Sequence, residues 1–262
     1  MGDAMRGEID QITKELMESV QAGRQLDIVD DFAYPLPGED PTERHQAGSQ
    51  AQLEMGGYLL DLAERRRGHP TDDMLSAFVD EPDPALRHTR DELAQTAVPL
   101  LIAGHETTVN LITNGVLTLM RHPEQLDLLR HDPGLLPQAV EELLRYEPPV
   151  QMRERIPLAD VDVAGTTIPA GTSVVLVLAS GNRDPKRFHE PDRFDPTRPD
   201  IEHFGFGSGI HLCYGAPLAR IEAEAALGAL IPHLSTARLV QDPPPYRQNA
   251  MLRGPRHLPV QF

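Results

Sequence analysis

Cys213 is the only cysteine in a chain of 262 residues. It follows the glycine-rich stretch Phe206-Gly207-Ser208-Gly209-Ile210-His211-Leu212 and precedes Tyr214-Gly215. A thiolate is a soft metal ligand, and backbone N–H groups together with the positive end of a following helix can hold it. Gly209 and Gly215 allow close backbone approach, and Phe206 can pack over the sulfur. Zinc is a rival metal through His211-x-Cys213, although structural zinc takes four ligands and the chain offers no second thiol. A buried structural cysteine beside a core histidine is the reading without chemistry.

A second group of reactive types is Ala103-Gly104-His105-Glu106-Thr107-Thr108, inside the longest helical signal. Helix interiors disfavour glycine followed by a carboxylate and two threonines. The run therefore predicts a locally opened helix, with a threonine hydroxyl bonded back to a carbonyl four residues earlier and water in the ladder. Gly104 would admit a flat cofactor to the backbone. Flanking Leu100, Leu101, Ile102, Leu111 and Ile112 predict that the patch is buried, against the alternative of a solvated surface patch. Glu142 and Arg145, at i and i+3, share a helix face and can pair, as surface residues often do. Arg155 carries a bidentate fork suited to a carboxylate, with Arg153 as the neighbouring candidate.

The elements that must position these residues are mostly helical. Ile9, Ile12, Leu16 and Val20 recur at helical spacing within residues 5–22, and Gly23 ends that run. Residues 27–37 read as loop and 38–48 as a polar connector, followed by a helix over 49–67. Thr71-Asp72-Asp73 caps a short helix through Phe78. A long helix covers 89–121, stopped by His122-Pro123, and shorter ones follow over 123–131 and 135–146. Strands are predicted at 161–163 and 172–178, joined by a turn at Gly165. Residues 180–212 are irregular, 215–234 is a strong helix, and the tail holds strands at Leu239 and 258–262.

Bulk properties narrow the function. A hydrophobic share of 40% predicts a folded chain, and the 25 prolines cluster in loops at 35–41, 185–199 and 243–245. The formal charge of −16 argues against nucleic acid or anionic lipid as a partner. One cysteine fits a reducing compartment. No signal-like N-terminus is seen, and the apolar stretch 97–103 is too short to span a bilayer. These features predict a soluble cytoplasmic protein.

The string Phe206, Gly209, Cys213, Gly215 resembles the haem-binding loop of the cytochrome P-450 family, without mismatch to its Phe-x-x-Gly-x-x-x-Cys-x-Gly pattern. Gly104-His105-Glu106-Thr107 resembles the family's oxygen-activation groove, and Glu142-Leu143-Leu144-Arg145 its Glu-x-x-Arg helix. The resemblance is continuous over 84–262 and weaker over 1–37, a mid-domain helix and loop remnant. It implies a mainly α fold with small β-sheets: the C-terminal portion of a single P-450 domain, with 45–262 supplying roof helices, the oxygen-groove helix and the haem-binding half. An N-terminal region and a roof helix between Pro37 and His45 are expected in the family and not found.

The resemblance also implies roles. Cys213 would be the axial ligand of a heme b iron, with Gly104 against the cofactor and His211 and Arg155 on its propionates. Glu106 would be the acid and Thr107 the alcohol that deliver protons. Glu142, Arg145 and Arg193 would form a buried structural triad, and Met251 and Leu252 would touch substrate. The activity implied is that of an oxidoreductase of secondary metabolism, inserting one oxygen atom from O2 into a small apolar substrate. Ferredoxin and ferredoxin reductase, or a similar donor, would supply its electrons. The alternative is a non-catalytic helper that stabilises a partner enzyme; such helpers typically lack the cysteine that this chain keeps.

Overall fold

A computed structural model describes residues 6–7, 9–11, 25–27 and 41–262. Residues 6–7 and 9–11 are helical, within the helix expected over 5–22. The remainder of that run, its stop at Gly23 and the loop over 28–37 lie outside the described residues. The chain divides into two compact units, Leu36–Glu106 and Met1–Pro35 with Thr107–Phe262. It is mainly helical with small antiparallel sheets, as the sequence predicts.

The smaller unit holds α1 (Pro41–Arg66), α2 (Met74–Val79) and the first half of α3 (Arg90–Arg121). Helix α1 starts at Pro41, within the stretch read as a connector. Proline suits a first helical turn, because its φ is already set and its missing N–H has no partner there. Asp73 caps α2 by accepting the Ser76 N–H at 2.6 Å, as Thr71-Asp72-Asp73 suggested. Thr89 and Glu92 close a capping box at the start of α3: Glu92 accepts the Thr89 N–H at 2.8 Å, and Thr89 Oγ1 accepts the Glu92 N–H at 3.3 Å.

Two expectations for α3 fail. The helix is continuous from Arg90 to Arg121, through Gly104–Thr108, so the predicted opening is not there. Pro99 removes one ladder donor within α3, and Thr113 donates back four residues to the Val109 carbonyl at 2.7 Å. Nor is the patch buried on both flanks. Leu111 and Ile112 are core, but Leu101 and Ile102 are 54% and 41% exposed.

The larger unit continues with α4 (Pro123–His131), a 3-10 turn at Pro133–Leu135 and α5 (Leu136–Tyr146), then α6 (Leu178–Gly181) and α7 (Ala216–Leu234). Its core is where the second half of α3 meets α4, α5 and α7, through Val116, Leu119, Leu129, Val140, Leu143, Leu227 and Leu230. A Cβ at Gly115 would stand 3.1 Å from Leu143 Cδ1 and 3.2 Å from Leu227 Cδ1, so this crossing depends on a residue without a side chain.

Three small sheets flank the helices. β1 (Gln25–Asp27), unforeseen in the sequence, pairs with β7 (Pro259–Gln261), which also pairs with β6 (Arg238–Leu239). β2 (Arg153–Arg155) pairs with β5 (Val174–Leu176), and β3 (Val161–Val163) with β4 (Thr166–Ile168). The strand predicted at 172–178 is thus shorter and has a different partner. The turn at Ala164-Gly165, both with positive φ, returns the chain at once into β4, which occupies the place beside β3.

Candidate functional site

Five of the predicted residues meet in one loop. Phe206, Gly209, His211, Cys213 and Gly215 wrap a 3-10 turn at Gly209–His211 that runs into α7, whose N-cap is Gly215. The Cys213 N–H donates to the Phe206 carbonyl at 2.8 Å, which closes the loop, and the thiol itself is exposed. It stands two residues before the N-cap of a 19-residue helix, at the positive end of the dipole. Gly207 is the loop's tightest point: its φ is +74°, and a Cβ there would lie 2.9 Å from the His211 carbonyl oxygen. Gly207, unlike Gly209 and Gly215, lies outside the spacing that marks the loop in the sequence. His211 and Ile210 are exposed, Ile210 at 97%.

The segment that delivers this loop is irregular, and buried charge orders it. Arg145 is fully buried and uses all five N–H donors. Its fork meets Glu142 at 2.7 and 2.8 Å, and it reaches the carbonyls of Asn182, Pro191 and Arg193 at 2.9, 2.8 and 3.0 Å. The third member of the predicted triad is different, however. Arg193 contributes only its carbonyl; its side chain is 57% exposed and pairs with Glu190. Phe194, its neighbour in sequence, is buried instead. The second guanidinium on Glu142 belongs to Arg198, 3.2 Å from each carboxylate oxygen and donating also to the carbonyls of His189, Glu190 and Arg193.

Glu141, the neighbour of Glu142, faces the cysteine loop instead. It takes the fork of Arg220 at 2.6 and 2.9 Å and lies 3.2 Å from His203 Nε2. The Gly205 N–H donates to His203 Nδ1 at 2.9 Å, so the ring proton sits on Nε2 and points to Glu141. Burial alone would push Glu141 up, but hydrogen bonds from His203 and Arg220 outweigh it and bring its carboxyl down to about 2. The Arg220 guanidinium lies over the Phe206 ring, 4.6 Å from its centroid.

The remaining candidates fall elsewhere. Gly104 and Glu106 end the smaller unit, and Thr107 opens the larger one, all in α3. A Cβ at Gly104 or at Gly209 would meet nothing within 4 Å, so each backbone borders open space. Thr108, next along α3, hydrogen-bonds Glu222 of α7, whose carboxyl burial pushes up and that bond draws down less. Glu222 escaped the sequence reading, although a carboxylate between Ile221 and Ala223 on an apolar helix was a usable signal. Arg155 is half-buried in β2 and donates to the Glu154 carbonyl at 2.8 Å. Met251 and Leu252 lie against the chain entering β2, since the Met251 carbonyl accepts the Gln151 N–H at 2.9 Å and Leu252 bridges Val150. Among the described residues, no three of His, Cys, Asp and Glu gather to hold a metal ion, which leaves His211 and Cys213 without the companions zinc needs.

A lone exposed thiol thus stands on a glycine-bounded loop, just ahead of a long helix in a mainly helical chain. The chain belongs to the cytochrome P450 family, whose model matches residues 1–262. That family implies a haem-thiolate cofactor and places the chain among the oxidoreductases, as a P450 monooxygenase. It is 42% identical over 290 aligned positions to 6-deoxyerythronolide B hydroxylase of Saccharopolyspora erythraea, covering 99% of this chain and 71% of that protein. It is 46% identical over 237 positions to cytochrome P450 monooxygenase PikC of Streptomyces venezuelae, covering 89% of this chain and 55% of that one. Among solved structures, ligand-free P450 monooxygenase TamI superposes with a TM-score of 0.87 at 42% identity, over 99% of this chain and 70% of TamI. Among the described residues, no helix is long and apolar enough to cross a membrane.

Proposed function

We propose that this chain is a haem-thiolate monooxygenase in which Cys213 ligates the iron of heme b and a small apolar substrate receives one oxygen atom from O2. The observation that carries the reading is the sole thiol, exposed on a loop closed by its own N–H bond to Phe206. The donor set of the larger unit fits the group: one soft ligand, an open backbone face at Gly209, and a helix N-terminus beside the sulfur. Bound there, haem supplies the one-electron and dioxygen chemistry that no side chain can perform.

The chain's own residues hold and move the rest. Cys213 presents its sulfur from a loop closed by its backbone bond to Phe206, beside the N-terminus of α7. His211 and Arg155 would pair with propionates through charge-assisted hydrogen bonds. Thr107 Oγ1 would pass a proton towards the reacting oxygen, and the Glu106 carboxyl would replenish it. Glu142 and Arg145 hold the segment that leads to the loop, a structural task now shared with Arg198. Met251 and Leu252 would line the substrate's side. Electrons would come from a ferredoxin with its reductase or a similar donor. The name of one relative, 6-deoxyerythronolide B hydroxylase, supports a secondary metabolite as substrate. Retention of Cys213, Glu106 and Thr107 together favours this enzyme over a helper protein.

The test is spectroscopic. Haem-reconstituted protein, reduced under carbon monoxide, is expected to give the Soret band of thiolate ligation, and Cys213→Ala to lose it. Protein that folds but retains no haem overturns the reading.

A further inference from the structure

Two consecutive carboxylates of α5 grip different stretches of one segment. Glu142 holds Arg198 and the Asp195 N–H, at 3.2 and 2.9 Å, while Glu141 holds His203 and Arg220, which flank the cysteine loop in sequence. The Glu142 pairs are buried and secure the fold. The Glu141–Arg220 pair is not: its side chains are 27% and 38% exposed. A pair so placed adds little stability, about 1 kcal/mol at most. Yet its geometry is tightly specified, with a bidentate fork on one side, a buried histidine on the other, and the guanidinium laid over the Phe206 ring.

Phe206 is the residue through which this arrangement reaches the sulfur. Its carbonyl accepts the Cys213 N–H at 2.8 Å, and its ring is flanked by Arg220 and, 6.1 Å away, by His203. The chain before it is pinned as well: the Phe204 N–H donates to Asn182 Oδ1 at 2.7 Å and the Gly205 N–H to His203. Arg220 is held above the usual guanidinium value first by its bond to Glu141. The cation lies, 4.6 Å from the centroid, over the ring of the residue whose carbonyl binds the Cys213 N–H.

We propose that Glu141 and Arg220 form a clamp that fixes Phe206, and with it the Cys213 backbone, and sets the charge felt at the thiolate. Both are positioning residues for the monooxygenase, since neither touches a reacting atom. The first half of the proposal concerns the loop alone. The second, tuning of the iron's reduction potential, rests on the haem-thiolate reading above.

The charges give opposite signs. A nearby cation favours the state with one more electron, so Arg220→Gln is expected to move the midpoint potential to more negative values. Glu141→Gln leaves the cation uncompensated and is expected to move it to more positive values. Potentials are read by spectroelectrochemistry on haem-loaded protein, with Arg187→Gln, on the exposed Arg187–Asp200 pair, as the control for charge.

Loop fixation is read separately, by amide hydrogen exchange on the haem-free chain. Both variants are expected to exchange about tenfold faster over 204–215 while α5 stays protected. Unchanged loop exchange overturns the clamp. Faster exchange with unmoved potentials overturns the tuning alone. Should Arg220→Gln fail to fold, Arg220→Lys keeps the charge and loses the fork: faster loop exchange is expected, and unchanged exchange overturns the clamp there too. Failure of every protein, parent included, to hold haem sinks the haem-thiolate reading, and the exchange result still decides the clamp.

Discussion

Arg198 Nε stands 3.2 Å from both carboxylate oxygens of Glu142, on a carboxylate already engaged by the fork of Arg145. One buried anion therefore answers two buried cations, each of which also makes three bonds to backbone carbonyls between Asn182 and Arg193. The irregular segment before the cysteine loop owes its order to this exchange. Side-chain charge stands in for the ladders that a helix or strand would supply.

The pairing separates two arginines that the sequence leaves interchangeable. Arg198→Ala removes the bonds to Glu142 and to three backbone carbonyls while Arg145 still answers the carboxylate, and is expected to cost about 2–3 kcal/mol in urea unfolding of the haem-free chain. Arg193→Ala keeps the carbonyl that matters and removes only an exposed pair with Glu190, so a change within about 0.5 kcal/mol is expected. Equal costs for the two would remove Arg198 from the triad.

Glu222 gives a pH signature. Burial lifts its carboxyl above the ordinary value of 4.5, the Thr108 bond opposing in part. An acid raised in the folded state binds its proton more tightly there than in the unfolded chain, so folding is penalised once the pH exceeds the unfolded value. The penalty is absent below about 4.5, grows as pH rises through the folded value, and then levels off. Glu222→Gln cannot ionise. Its stability relative to the parent is expected to rise with pH across that window and to be flat below it. Paired thermal melts between pH 4 and 8, a range of about four units, check this; a difference independent of pH would place the burial elsewhere.

What the sequence made legible follows from how local each signal is. The cysteine loop, the Asp73 cap and the capping box at Thr89 depend on neighbours within a few residues, and all can be read from spacing. Strand partners depend on where the chain returns. The run at 172–178 was visible as a strand, yet its pairing with β2 rather than β3 was not, because the Ala164-Gly165 turn had a nearer strand to offer. Arg198 and Glu222 were missed for the same reason: each is defined by a partner on a distant element. The pattern that suggested an opened helix at Gly104–Thr108 was misassigned, since composition disfavours a helix there and tertiary context holds one nonetheless.

Thr107 and Glu106 carry the proton-delivery proposal, and their variants should separate chemistry from cofactor binding. Glu106→Gln and Thr107→Ala are each expected to lower product formation about a hundredfold. The carbon monoxide spectrum of both should match the parent's, because neither residue is placed on the iron. Electrons consumed without product are expected to appear as peroxide, measured as the ratio of peroxide to donor oxidised. A variant that loses the thiolate spectrum instead would assign that residue to the cofactor's seat.

Gly254 couples the proposed substrate turn to α3. A Cβ there would overlap Asn110 Oδ1 and Cγ and stand 3.0 Å from its Cβ, and Asn110 is itself buried. Neither side can give way easily. Asn114, one turn along α3, donates to the Arg253 carbonyl at 3.0 Å, the Arg253 N–H is bound to the Pro149 carbonyl at 2.8 Å, and the Gly254 carbonyl accepts the Arg247 N–H at 3.3 Å, so the backbone at Gly254 is tied on both sides. Gly254→Ala is therefore expected to destabilise by about 1–3 kcal/mol, as overpacked sites do. The clash requires the Asn110 amide, so Asn110→Ala should remove most of that cost in the double variant. The pair is expected to be non-additive by about 1 kcal/mol or more, measured by urea unfolding of all four proteins. Additivity would mean that the glycine is required for its backbone alone. Because Met251 and Leu252 lie just before Gly254, the single variant is also expected to shift the substrate-binding constant of haem-loaded protein, and the Asn110 variant to restore it.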